Sequence, residues 1–223
     1  MLASIKAIIK QFHLLEKIYS IIGITFFSVL ASFAYQHKPL NIDILVTCSL
    51  QTYVHLEIFM RTISFLGDNF FVAVAIVLTF TSLLHFVKQS LEAKLLLFIT
   101  AMGQSTNAVI KLLIARPRPA GEACVQVLVN EQTLSFPSGH VMHYVCLYGF
   151  LCFIIYKKVN NLPLKIILML LPAFLVLSVG ASRIYLGAHW FTDVTAGYLL
   201  SSILLIFTIN FYHHAKKQID QPT

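Results

Sequence analysis

Residues 182–193 read SRIYLGAHWFTD. An arginine, a histidine and an aspartate sit close together here, yet both flanks are apolar: Leu164–Ala181 before the stretch and Phe191–Tyr212 overlapping its end. A helix that crosses a bilayer needs roughly 17–25 mostly apolar residues, because the hydrocarbon core offers its backbone no water. The stretch therefore reads as a polar junction between two membrane helices, at one face of the bilayer.

The rest of the chain fits that reading. Of 223 residues, 58% are hydrophobic and only 11% charged, and the mean hydropathy is +0.80. Soluble domains carry about 25% charged residues. Four further apolar runs, Ile18–Tyr35, Phe70–Val87, Leu95–Ile114 and Val141–Tyr156, bring the total to six, the fourth needing its flanks to span. Connections are brief. The expected fold class is all-α, a polytopic membrane protein whose six-helix domain covers 18–212. A basic amphipathic segment, 1–17, precedes it, and a short cytoplasmic tail, 213–223, follows. Ser32-Phe33-Ala34 resembles a signal cleavage site, but the preceding run is long for a signal peptide and is read as a retained helix. Within 2–17, Lys6, Lys10, His13 and Lys17 share one helical face, and Leu2, Ile5, Ile9 and Phe12 another. That pattern suits either a helix lying on an anionic surface or an ordinary basic flank.

The net charge of +7 is spread over loops, which argues against a nucleic-acid partner. With alternating helices, one side receives Lys6, Lys10, Lys17, Lys88, Lys94, Lys157, Lys158, Lys165, Lys216 and Lys217. The positive-inside rule makes that side cytoplasmic. All four arginines fall on the other side, with Lys38 and Lys111. A topology rule does not sort arginine from lysine, so the outer face needs guanidinium for another reason. Cys146 and Cys152 read as small fillers of the fourth helix. Cys48 and Cys124 share the outer face, but sequence does not bring them together, and they are read as unpaired, with a disulfide as the alternative.

Four helix ends meet on that outer face. They bring Lys111, Arg118, Ser138, Gly139, His140, Arg183, His189 and Asp193 to one depth in the bilayer. Lys111, Arg118 and Arg183 are three cations suited to phosphate oxygens. Ser138-Gly139-His140 looks like a helix start, with a serine able to cap and a glycine that lets a ligand approach. His189 and Asp193, at i and i+4, share a helical face, so the carboxylate can hold one imidazole nitrogen and leave the other free. His140 is a second imidazole, available as a general acid. Ionisable groups at membrane depth are costly and tend to be functional. A metal held by His140, His143, His189 and Asp193 is the rival reading. Three fixed cations nearby would repel a divalent ion, so no metal or other cofactor is expected. A transporter would place such groups mid-span rather than at one end.

Lys111 to Arg118-Pro119 reads K-x6-R-P, residues 137–140 read P-S-G-H, and Ser182 to Asp193 reads S-R-x5-H-x3-D. In order and spacing these resemble the three signature motifs of the type 2 phosphatidic acid phosphatase superfamily. Eleven fixed positions match, and the motifs span 111–193. The resemblance implies a metal-independent membrane phosphatase for lipid phosphate monoesters or isoprenyl diphosphates. Undecaprenyl diphosphate, phosphatidylglycerophosphate and phosphatidate are the substrates it suggests, with a lipid phosphotransferase as the alternative activity. It further implies that His189 is the nucleophile forming a phosphohistidine, Asp193 orients it, and His140 protonates the leaving oxygen. Lys111, Arg118, Ser138, Gly139 and Arg183 would cradle the phosphoryl oxygens. The implied location is a bacterial-type cytoplasmic membrane with the site on its extracytoplasmic side. Arg116 has the wrong spacing for the first motif and is read as an auxiliary contact. Gln104, Asn107 and Lys111 form a polar stripe expected to face the bundle. Tyr35, Tyr185, Trp190 and Tyr212 are expected as interfacial anchors. Pro39–Asn69 either guides lipid entry or only connects two spans. The oligomeric state is not encoded in any of these features.

Overall fold

A computed structural model describes residues 2–220 of the protein, with side chains from Leu15 onward. The basic face assigned to Lys6, Lys10 and His13, and the end of the tail, 221–223, lie outside the described residues and side chains. Helix α1 (Leu2–Tyr35) runs unbroken from the basic segment through the first apolar run. Next come α2 (Asn41–Gln51), a 3-10 turn (Val54–Leu56), α3 (Glu57–Asp68), α4 (Phe70–Phe86) and α5 (Ser90–Ile114). The fourth apolar run is α6 (Gly139–Tyr144), a π-helical turn (Val145–Gly149) and α7 (Phe150–Lys158). Helices α8 (Leu162–Tyr185) and α9 (Phe191–Asp220) complete an all-helical bundle.

Among the described residues, five segments are long and apolar enough to cross a membrane: Leu15–Tyr35, Ser90–Ile114, Gly139–Lys158, Leu162–Tyr185 and Phe191–Asp220. A sixth exists only as the pair α3–α4, bent by 71°. The cause is local. Helix α4 has 17 residues, about 25 Å at the helical rise, slightly short of a ~30 Å hydrocarbon core. Asn69 caps it, its Oδ1 accepting from the N–H groups of Phe71 at 2.9 Å and Val72 at 3.3 Å, so α4 starts afresh. Helix α3 instead buries Met60, Ile63 and Ser64 and packs on α8.

Gly139–Lys158 is the axis of the bundle. Over half of it is buried, against 11–28% for the other single-helix spans. Val141, Tyr144, Leu147 and Phe150 anchor the largest apolar cluster. The outer helices keep apolar side chains such as Leu170, Leu171 and Leu177 exposed, as lipid contact requires. At the lysine-rich end Glu92 is buried, accepting from Lys158 Nζ at 2.6 Å and Tyr212 Oη at 3.1 Å, which ties α5, α7 and α9 together. The motif residues sit at the opposite helix ends.

Three expectations are corrected. Cys48 and Cys124 form a disulfide with Cα atoms 5.7 Å apart, which fastens α2 to the 115–138 loop. Of the expected aromatic anchors only Tyr35 is exposed. Tyr185, Trp190 and Tyr212 are buried because the bundle supplies partners: the Tyr53 carbonyl for Tyr185, Arg116 for Trp190 and Glu92 for Tyr212. Of the polar stripe, Asn107 faces inward and donates to the Pro137 carbonyl at 3.0 Å, whereas Gln104 points outward.

Candidate active site

The first motif straddles the end of α5. Ala115 closes that helix in the left-handed conformation, its N–H on the Lys111 carbonyl at 2.8 Å. The chain then turns back across the bundle end. Lys111 Nζ donates to the Leu134 and Ser135 carbonyls, which spends part of its charge on the loop. Arg118 donates to the carbonyls of Thr133 (2.6 Å) and Ala188 (2.7 Å), and its Nη1 lies 3.2 Å from His189 Nε2.

The stretch 182–193 is shaped by Gly187. Its φ is +63°, and a Cβ there would collide with the Gln126 carbonyl, so only glycine takes the turn without strain. The turn delivers His189, buried, to the head of α9. An arginine can only donate, so Arg118 Nη1 makes Nε2 the acceptor and leaves the ring proton on Nδ1. Burial, followed by the charges of Arg118, Lys111 and Arg183, holds the imidazole well below its ordinary pKa. The carboxylate of Asp193 does not overcome them, and the ring is neutral, its Nε2 lone pair turned toward Arg118.

Asp193 does not touch the imidazole as expected. Its Oδ2 is 3.7 Å from Nδ1, and Ser135 stands between. Ser135 Oγ donates to Asp193 Oδ2 at 2.5 Å and lies 3.4 Å from Nδ1, where its lone pair faces the ring proton. The other carboxylate contacts are Arg116 Nη1 on Oδ1 at 2.6 Å and the Trp190 N–H on Oδ2 at 3.0 Å. Arg116 is thus not an auxiliary phosphate contact. It is 1% exposed and lies between Asp193 and Asp43, whose Oδ2 accepts from Nη2 at 2.8 Å. Its fork is fully committed away from the pocket.

The second motif opens α6. Ser138 occupies the capping position, but its Oγ makes no cap bond and is buried without a partner. Gly139 is required by packing, since a Cβ would come 3.0 Å from Asn107 Oδ1. His140 Nε2 lies 2.9 Å from Asp68 Oδ1. Arg183, fully buried, donates to Asp68 Oδ1 at 2.9 Å and also to Ser64 Oγ and Glu131 Oε1. Glu131 further pairs with Arg118 at 3.1 Å. Burial raises the Glu131 carboxyl, but Arg183 and Arg118 outweigh it and hold it below its ordinary pKa. Ser182 stays outside the pocket, its Oγ donating to the Met60 carbonyl at 2.6 Å.

The structure therefore gathers Lys111, Arg118, Ser138, Gly139, His140, Arg183, His189 and Asp193 at one end of the bundle. It adds Ser135, Arg116, Asp43, Asp68 and Glu131, which the motifs do not contain. Among the described residues, metal-type ligand atoms converge at Asp68, Glu131 and His140, all within 4.8 Å of one another. That is a different set from His140, His143, His189 and Asp193, and Arg183 already bridges its two carboxylates. His143 is buried with its ring edge-on to Tyr144.

Comparison with known proteins gives the same grouping. The chain is 31% identical over 163 residues to a protein named phosphatidylglycerophosphatase B from Bacillus subtilis (strain 168), covering 73% of this chain and 77% of that one. It superposes with a TM-score of 0.69 and 26% identity on a crystal structure described as the first transmembrane PAP2 type phosphatidylglycerolphosphate phosphatase from Bacillus subtilis. That match covers 87% of this chain and 96% of the other. The family model for the PAP2 superfamily matches residues 92–217. With the motif residues gathered at one bundle end and most of the chain superposing on a solved member, the chain belongs to the PAP2 superfamily of membrane phosphatases.

Proposed function

We propose that the protein hydrolyses a membrane lipid phosphate through a phosphohistidine on His189, at the extracytoplasmic face and without a metal. The observation that carries this reading is the aim of His189: its Nε2 lone pair faces Arg118 Nη1 at 3.2 Å in a pocket lined by cations. In the first step Nε2 bonds to phosphorus and the bond to the lipid oxygen breaks. The leaving oxygen takes its proton from His140. In the second step water attacks phosphorus, gives a proton back to His140 and breaks the P–N bond, releasing inorganic phosphate. Lys111, Arg118 and Arg183 offset the charge on the phosphoryl oxygens, and fixed cations of this kind supply most of what phosphoryl transfer needs. Ser138 Oγ, buried and unpartnered, is a donor for one of those oxygens.

The two relatives named above favour phosphatidylglycerophosphate as substrate, with isoprenyl diphosphates and phosphatidate close behind. The lipid tail stays in the bilayer while its phosphate reaches the polar bundle end. The test is phosphate release by the purified protein from a panel of these lipids in mixed micelles, with and without EDTA. Release from phosphatidylglycerophosphate that survives EDTA and is abolished in His189→Ala is the expected result. Wild-type turnover in His189→Ala, or activity lost in EDTA and restored by Mg²⁺, would remove this mechanism.

A further inference from the structure

We propose that Asp43 is a positioning residue for the reaction: through Arg116 it sets the aim and effective charge of Asp193 behind His189. The inference rests on the phosphohistidine reading, but its observations are independent of the motifs. Asp43 lies in the first turn of α2, far from the motifs in sequence, and is 0% exposed. An aspartate sealed at the membrane face needs a reason, because desolvating a carboxylate is costly unless every lone pair is met.

Both oxygens are hydrogen-bonded, and every partner but the Leu40 N–H leads to the site. Oδ2 accepts from Arg116 Nη2 at 2.8 Å, from Thr192 Oγ1 at 3.1 Å and from the Leu40 N–H at 3.0 Å. Oδ1 accepts from the Thr192 N–H at 2.8 Å. Thr192 is the residue before Asp193 and also accepts from Arg116 Nη1 at 2.7 Å. One guanidinium thus holds two carboxylates, one on each arm of its fork, while Asp43 pins the backbone at the head of α9. The geometry does two things. It fixes Asp193 so that Oδ2 meets Ser135, and it divides the positive charge of Arg116. Were Asp43 neutral, that charge would fall on Asp193 alone. The carboxylate would then hold the Ser135–His189 Nδ1 proton less strongly, and Nε2 would be a poorer nucleophile. This gives α2 a role beyond connecting two spans.

The sign follows directly. Losing the negative charge of Asp43 leaves Arg116 uncompensated beside the dyad and makes His189 harder to protonate. The charged groups facing His189 are Arg118, Lys111, Arg183, His140 and Asp193, and those facing Arg116 are Asp43 and Asp193. None but Asp43 is altered in the test. The measurement is kcat and kcat/KM for phosphatidylglycerophosphate from pH 4 to 9 with the full chain in mixed micelles. Asp43→Asn should lower kcat at least tenfold, leave KM within twofold and move the acidic limb of kcat/KM to lower pH. Asp43→Glu keeps the charge and should keep the limb in place even if kcat falls. In an Arg116→Met background, Asp43→Asn should cause no further loss of kcat. A limb that stays put in Asp43→Asn, or moves equally in Asp43→Glu, or an undiminished loss in the Arg116→Met background, would overturn the inference while the phosphohistidine reading stands. A wild-type protein that releases no phosphate would overturn both.

Discussion

Ser135→Ala tests the geometry behind His189 most directly. The hydroxyl donates to a buried carboxylate at 2.5 Å and is the one atom placed between Asp193 Oδ2 and Nδ1, which are themselves 3.7 Å apart. A hydrogen bond to a charged group contributes about 1.5–3 kcal/mol net. When Nε2 bonds to phosphorus the ring gains positive charge, so the bond at Nδ1 strengthens in the transition state. The loss should therefore appear in kcat, by about tenfold to 150-fold. KM should change little, because Ser135 lies behind the ring and the cations of the pocket are untouched. The assay is initial-rate phosphate release from phosphatidylglycerophosphate in micelles at saturating and subsaturating lipid. A variant with wild-type kcat would mean that Asp193 reaches Nδ1 without the hydroxyl. A variant with raised KM alone would mean that Ser135 contacts substrate. Either result refutes the relay.

Arg118→Met removes the cation 3.2 Å from Nε2. Its charge helps hold the His189 pKa down, so the acidic limb of kcat/KM should rise by about one pH unit, read from the pH profile alongside the expected increase in KM. Glu131→Gln frees Arg118 and Arg183 from a carboxylate that competes with phosphate, and inhibition by vanadate should tighten about tenfold; unchanged or weaker inhibition would count against competition at that spot. Reducing the Cys48–Cys124 disulfide, whose cysteines are 76 residues apart, should lower the thermal midpoint by several degrees, within a chain-entropy ceiling of about 4.5 kcal/mol. Single cysteines at Gly121 and Asn160, with Cys146 and Cys152 replaced, should react with an impermeant thiol reagent from opposite sides of sealed vesicles; labelling from one side would break the alternation of spans.

The bundle and the motif residues were readable in the sequence because each is a local signal. Apolar runs of bilayer length need no partner to be recognised, and K-x6-R-P, P-S-G-H and S-R-x5-H-x3-D carry their spacing with them. What was not readable depends on contacts across the bundle. Motif spacing singles out Arg118 over Arg116, but not that Arg116 is sealed between two carboxylates while Arg118 lies beside His189. Only the turn after Ala115 decides which is which. Ser135 belongs to none of the motifs, and only the path of its loop sets it against His189. Asp43 and Asp68 did leave a trace, as acidic residues in an apolar stretch, but their partners lie 73 and 115 positions away. The bend at Asn69 was hidden for a related reason: a 17-residue apolar run reads as a span until its length is set against the bilayer.

The charges at this bundle end fall into two layers with different jobs. Behind His189, Arg116 is matched by Asp43 and Asp193, and the whole group is buried. No substrate charge is needed there, which suits a layer that only aims a side chain. In front, Lys111, Arg118 and Arg183 face Asp68 and Glu131, leaving an excess of about one positive charge. A phosphate monoester brings close to two negative charges at neutral pH. It cannot simply add to this layer. Either a carboxylate must give way or a proton must be held nearby. Glu131 reaches Arg118 and Arg183 from a loop rather than a helix, whereas Asp68 is held by Ser64 and Arg183 at the end of α3. His140 lies 2.9 Å from that fixed Asp68, whose carboxylate holds the ring in place at the start of α6. The acidic residues at a phosphate site are then not a contradiction: Glu131 pairs with Arg118 and Arg183, and Asp68 anchors Arg183 and lies 2.9 Å from the His140 ring.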